Sequence, residues 1–274
     1  MKNWLQNKTV IITGASGGIG FSLAKKLIEK FHCKIIAIAR NEEKILKNME
    51  LLGDNKTNFS YRLFDVSKKE KWVEFAKELE EKGISPDVLI NNAGFMLPFN
   101  KAENYTFHDI DEITSTNFLS VVYGVKVLLP LIKKSKTPAI INVSSAAGVS
   151  AVIGQSMYTA TKYAVRGFTQ TLAVENKDVY VAGIYPGFIK TDILSRANDS
   201  ENKNSLIEKM SEPLDKATKK IIKRIKAKKK NIIVGFGGGF LNFGGKHFPA
   251  LTSKIMAFAL KKAKLEMMKN VFVD

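Results

Sequence analysis

Short apolar runs rich in β-branched residues recur along most of the chain, and turn residues close each one. They fall at Lys8–Thr13 (KTVIIT), Lys34–Ala39 (KIIAIA), 59–65, 86–90, 139–143, 179–185 and 231–234. Such runs are near-continuously apolar rather than alternating, the mark of strands buried on both faces of a parallel sheet. Between them lie stretches of helical period: 21–31, 41–52, 67–82, 103–133, 156–176 and 214–230. Within 103–133, Gly124 and Pro130 are expected to bend or end the helix. Strand–helix alternation of this kind predicts an α/β fold, a doubly wound parallel β-sheet flanked by helices. The pattern changes after the last run. Residues 235–245 hold six glycines with Phe236, Phe240 and Phe243. Phe248, Leu251, Ile255, Phe258 and Ala259 then fall at helical spacing among Lys254, Lys261, Lys262 and Lys264. The organisation expected is one domain over 1–235 and a basic amphipathic C-terminal helical extension over 236–274.

Composition narrows this picture. A chain of 274 residues, 45% hydrophobic and 25% charged, is ordinarily globular. One cysteine, Cys33, excludes an internal disulfide and a cysteine-based zinc site. His32, His108 and His247 lack ligand spacing, so no metal site is expected. Met1 to Lys8 is polar and reads as no secretory signal, and no contiguous apolar run approaches ~20 residues. The expected location is cytoplasmic. Charge adds something: the formal net charge is +17, and residues 201–274 hold 17 Lys/Arg against 6 Asp/Glu. That asymmetry implies an acidic partner surface near the C-terminus. Two readings of the tail follow. The helix packs on its own subunit or a homodimer or homotetramer mate, or its lysines and phenylalanines lie peripherally on an anionic membrane surface. No motif supports nucleic acid.

Candidate chemistry gathers at the C-terminal ends of the strands, the rim where open α/β sheets bind ligands. Gly14, Ser16, Gly18, Ile19 and Gly20 lie between the first strand and first helix. There backbone N–H groups and a helix dipole face an anion. The spacing, Gly14-x-x-x-Gly18-x-Gly20, differs from the common dinucleotide fingerprint. Arg40 ends the second strand, where an acidic residue would read a ribose 2′-OH and an arginine accommodates a 2′-phosphate. NADP is therefore expected over NAD. Tyr158 and Lys162 are four apart on one helix and share a face. An ammonium beside a phenol favours the phenolate, so the Tyr158 pKa is expected to fall toward neutrality, where a general acid/base works best.

These residues resemble the classical short-chain dehydrogenase/reductase (SDR) family over roughly 6–192. The matches are the Thr13–Gly20 loop, Asp65-Val66, Asn91-Asn92-Ala93-Gly94, Asn117, Ser145, the Tyr158-x-x-x-Lys162 pair, and Pro186-Gly187 with Thr191. Ser145 precedes Tyr158 by the usual thirteen residues. The resemblance implies a Rossmann-type domain and interconversion of a carbonyl and a secondary alcohol on a small-molecule substrate. It implies that Tyr158 is the general acid/base, that Lys162 holds the nicotinamide ribose, and that Ser145 donates to the substrate oxygen. Asn117 would hold a water linking Lys162 to solvent. Gly14, Ser16, Gly18, Ile19 and Gly20 would surround the pyrophosphate and adenosine. Asp65 and Val66 would contact adenine, and Asn92, Ala93 and Gly94 the adenosine side. Pro186, Gly187, Ile189 and Thr191 would meet the carboxamide. Residues 189–212 would be a lid. The tail is similar to members acting on steroids and other lipids, which implies a lipophilic substrate. The alternatives are an NAD-dependent alcohol dehydrogenase and a non-catalytic cofactor-binding regulatory protein.

Overall fold

The computed structural model describes residues 3–194, 211–263 and 266–272. Most of the expected lid therefore lies outside the described residues. Seven strands form one sheet: β1 (Thr9–Thr13), β2 (Lys34–Ala39), β3 (Phe59–Leu63), β4 (Val88–Asn91), β5 (Ala139–Val143), β6 (Tyr180–Pro186) and β7 (Asn231–Val234). Their order is β3-β2-β1-β4-β5-β6-β7, and every pairing is parallel. The order reverses between β1 and β4, which opens a crevice above the strand ends there.

Alternate strand residues feed two cores, as a sheet covered on both faces requires. Val10, Ile12 and Ile35 pack with α1 (Gly18–Phe31), whereas Ile11, Ile36 and Leu89 pack with α3 (Lys69–Glu81) and α5 (Ser120–Ile132). Helix α2 (Glu42–Glu50) follows β2 and is capped by Asn41, whose side chain accepts from Lys44 N–H. Trp72 of α3 is fully buried, and a Cβ on Gly124 of α5 would sit 2.9 Å from its ring. Gly124 is thus a close-approach position, and the helix runs through it without ending.

The segment expected as one helix over 103–133 is divided. A 3-10 turn (Ala102–Asn104) precedes α4 (Phe107–Thr114), which opens on a capping box between Thr106 and Asp109. A π-turn (Ser115–Leu119) then leads into α5. Pro130 lies inside α5 without stopping it. Phe107–Ile132 is 26 residues long with a most-apolar window of mean hydropathy 1.5, so by length and composition it could cross a membrane. Counting only contiguous apolar runs misses this. Half of that window is buried within the protein, and core packing accounts for its hydropathy.

The C-terminal region places helices on both sides of the last strand. Helix α6 (Ser156–Glu175) leads to β6, and α7 (Leu214–Lys226) precedes β7. The α7 helix docks on α1 through Ser22–Thr218 (2.9 Å) and the Lys26–Asp215 ion pair. It ends four residues earlier than its lysine run suggests. The glycine-rich stretch is largely a helix, α8 (Gly238–His247), followed by α9 (Pro249–Lys262). A Cβ on Gly244 would overlap the Thr252 side chain of α9. One on Gly245 would overlap the Val149 carbonyl, just beyond the turn after Ser145. These glycines permit close packing, and they seat the extension against the domain.

Candidate active site

The loop after β1 is built for close approach. Gly14 has φ +64°, and its N–H donates to the Ile38 carbonyl at 2.8 Å. A side chain there would meet the Ala93 backbone at 2.9 Å. Thr13 Oγ1 accepts from the backbone N–H groups of Asn92 and Ala93, and Asn92 Nδ2 donates to the Thr13 carbonyl, all at 2.9 Å. The β1 and β4 loops are thus locked together. Gly20 lies under the loop rather than facing the cavity. A Cβ on it would come within 2.5 Å of the Gly14 carbonyl oxygen. Helix α1 begins with no side-chain cap and no acidic residue in its first turn. Its first N–H groups therefore have no side-chain acceptor, a cradle that fits a pyrophosphate.

One cavity of about 950 Å³ runs from this loop across the strand ends. Gly14, Ser16, Gly18, Ile19, Arg40, Val66, Asn92, Ala93 and Gly94 line it, together with Ser145, Tyr158, Lys162, Pro186, Gly187, Ile189 and Thr191. A Cβ on Gly94 would lie 3.2 Å from Lys162 Nζ, and one on Gly18 3.8 Å from the Thr191 side chain. Of the expected site residues, Gly20, Asp65 and Asn117 do not reach it. Asp65 lies 3.8 Å from Arg40 and accepts from Ser67 N–H, so it acts on the loop and on the arginine.

Asn117 sits in the π-turn and is fully buried. Its Oδ1 accepts from Phe95 N–H and its Nδ2 donates to the Phe95 carbonyl, both at 2.9 Å. Both ends of the amide are occupied by one backbone segment. The side chain thus fixes the strand-end loop, and the expectation that it holds a water does not rest on these atoms.

Ser145, Tyr158 and Lys162 come together. Ser145 follows β5, and its Oγ accepts from Ala147 N–H at 3.1 Å. Tyr158 is 6% exposed with Ser145 beside it, and the Ser145 hydroxyl donates a long hydrogen bond to the Pro186 carbonyl at 3.4 Å. Lys162 Nζ lies 5.6 Å from the centre of the Tyr158 ring and donates to the Val143 carbonyl at 3.2 Å. Beneath them Ser144 Oγ donates to the Lys162 carbonyl at 2.7 Å, holding α6 against β5.

Electrostatics here differ from expectation. Burial pushes the Tyr158 phenol up, and the neighbouring Ser145 hydroxyl only partly opposes the rise. Burial also pulls the Lys162 ammonium down to about 8. Desolvation thus drives both groups toward their neutral forms.

Several lining residues escape sequence reasoning. Asn41, Lys44 and Lys47 join Arg40 in the lining. The two lysines are three apart on α2 and read as an ordinary solvated face, although their position just after Arg40 was an available signal. Gln155 also lines the cavity, and Phe95, Met256, Leu260, Met267 and Met268 make an apolar wall. The last two are buried in a 3-10 turn (Glu266–Met268) that no periodicity announces.

Residues 8–202 match the short chain dehydrogenase family, and the chain belongs to it. It is 34% identical over 209 residues to an uncharacterized oxidoreductase of Listeria monocytogenes, covering 74% of this chain and 82% of that one. It is 32% identical over 189 residues to the NADPH-dependent pterin aldehyde reductase of Arabidopsis thaliana, covering 69% and 77%. Its fold is similar to an alcohol dehydrogenase from the archaeon Thermococcus sibiricus, solved with 5-hydroxy-NADP. The TM-score is 0.73 at 24% identity, over 84% of this chain and 96% of the other.

Proposed function

We propose that this protein is an NADP(H)-dependent oxidoreductase that interconverts a carbonyl and a secondary alcohol on a lipophilic substrate. The observation that carries the reading is the gathering of Ser145, Tyr158 and Lys162 on the cavity wall, with Lys162 Nζ 5.6 Å from the centre of the Tyr158 ring. Bound NADPH would supply the hydride. The Gly14–Ile19 loop would hold its pyrophosphate. Arg40, with Lys44 and Lys47 beside it, would take the 2′-phosphate, and the reductase of Arabidopsis thaliana is likewise NADPH-dependent.

In the reductive direction Ser145 and Tyr158 donate hydrogen bonds to the substrate oxygen, where negative charge develops. Tyr158 then gives up its proton to that oxygen. Its raised pKa in the free protein keeps it protonated as an acid, and Lys162 stands ready to stabilise the phenolate left behind. In oxidation the same proton returns. The methionine and phenylalanine wall excludes water and suits an apolar substrate body. A panel of carbonyl compounds with NADPH, followed at the nicotinamide absorbance, tests this. Turnover of at least one member is expected, and NADH is expected to serve poorly. Binding of NADPH without turnover of any carbonyl would favour a regulatory role instead.

A further inference from the structure

Large apolar side chains left exposed are normally scattered singly. Here fourteen are exposed among the described residues, and half of them lie between Phe236 and Phe258. Phe240, Phe243, Phe248, Leu251, Ile255 and Phe258 are 47–71% exposed along α8 and α9. They are not left over from a loosely attached tail. On the opposite sides of the same helices, Leu241, Gly244 and Thr252 are buried, and Leu241, Met256 and Leu260 line the cavity. The helix pair therefore has two apolar sides, one turned to the active site and one turned outward.

Charge selects what covers the outward side. Residues 238–262, which span the two helices, hold four lysines (Lys246, Lys254, Lys261 and Lys262) and no Asp/Glu. A second copy packed across a two-fold axis would set these lysines against one another. An anionic bilayer complements them and takes up the phenylalanines in its interface. We propose that the outer face of α8 and α9 docks on an anionic membrane surface, and that the substrate is a bilayer-dissolved lipid entering the cavity beside these helices. This substrate class rests on the carbonyl–alcohol reading of the site.

The test uses the full chain with phosphatidylcholine vesicles, with and without phosphatidylglycerol. Cosedimentation should favour the anionic vesicles by about tenfold and weaken as salt rises. The F243S/F248S/F258S variant should lose about tenfold or more in partition to both vesicle types. Its unfolding midpoint and its NADPH turnover of a water-soluble carbonyl should stay at the wild-type level. The K246E/K254E/K262E variant should lose only the anionic preference. A wild type that stays in solution with both vesicles overturns the docking surface. So does a wild-type dimer, by sedimentation velocity, that the phenylalanine variant dissociates. Turnover of the water-soluble carbonyl is read separately, so failure of the enzymatic reading is told apart from failure of docking.

Discussion

Replacing Lys162 with methionine should stabilise the free protein in a pH-dependent way while removing its activity. Lys162 is 3% exposed, and burial alone lowers its ammonium from 10.5 to about 8. At about 1.36 kcal/mol per pKa unit, that depression corresponds to roughly 3 kcal/mol lost from folding while the group is charged. Because the folded value lies below the unfolded one, the unfolded chain binds more protons between about pH 8 and 10.5. Stability therefore rises with pH across that window, and the penalty is complete only below it. The methionine variant has no such titration. It also strands the Val143 carbonyl that Lys162 now satisfies, at a cost of about 1–3 kcal/mol. That cost is independent of pH, so the diagnostic quantity is the change in the difference between the two proteins. Urea unfolding without cofactor at about pH 7.5 and about pH 9.5 should show the variant's relative stability falling by about 2 kcal/mol. A difference that stays constant between the two pH values would mean that Lys162 does not carry its charge into the interior, and the electrostatic account of the site would fail.

Tyr158→Phe keeps the ring and removes the transferable proton. Turnover should fall by at least ~100-fold with NADPH affinity preserved, read by steady-state kinetics and by cofactor fluorescence titration. Near-normal turnover would remove Tyr158 from the chemistry. Arg40→Ala should weaken NADPH by about one to two orders of magnitude and leave NADH nearly unchanged. Adding Lys44→Ala and Lys47→Ala should weaken NADPH further, and an equal loss for both cofactors would place these residues away from the 2′-position. Gly245→Ala drives a methyl into the Val149 carbonyl, so thermal stability should fall by about 1–3 kcal/mol. Turnover should fall with it because the displaced backbone adjoins Ser145, and a neutral Gly245→Ala would mean that α8 is loosely seated.

The strands could be read from the sequence because parallel strands buried on both faces must be apolar throughout, as KIIAIA and AIINV are. The motif residues could be read because they sit where those runs end. Other features left no pattern. A π-turn adds one residue to a hydrogen-bonded ring without changing composition, so Ser115–Leu119 passes for helix although Asn117 depends on it. Glycine has poor helix propensity, so the glycines of 235–245 do not themselves announce a helix. Only tertiary packing reveals that Gly244 and Gly245 are small because other backbone and side chains come close. The tyrosine–lysine pair was legible as geometry but not as electrostatics, since spacing fixes proximity whereas burial decides protonation.

Strand β7 has a consequence for how the chain is made. Every family motif named above has been synthesised once Thr191 is added, yet β6 pairs with residues 231–234 and carries Pro186–Gly187 at its end. Phe188 and Phe236 exchange two backbone hydrogen bonds at 3.2 Å just beyond it. A nascent chain stopped before these partners emerge would present β6 as a bare sheet edge, a template for pairing with another unfinished copy. At a typical ~5–20 residues per second, that interval lasts a few seconds. The loop at Pro186–Gly187 is therefore among the last parts of the molecule to set, and the vulnerable moment for aggregation comes when most of the sheet has already been made.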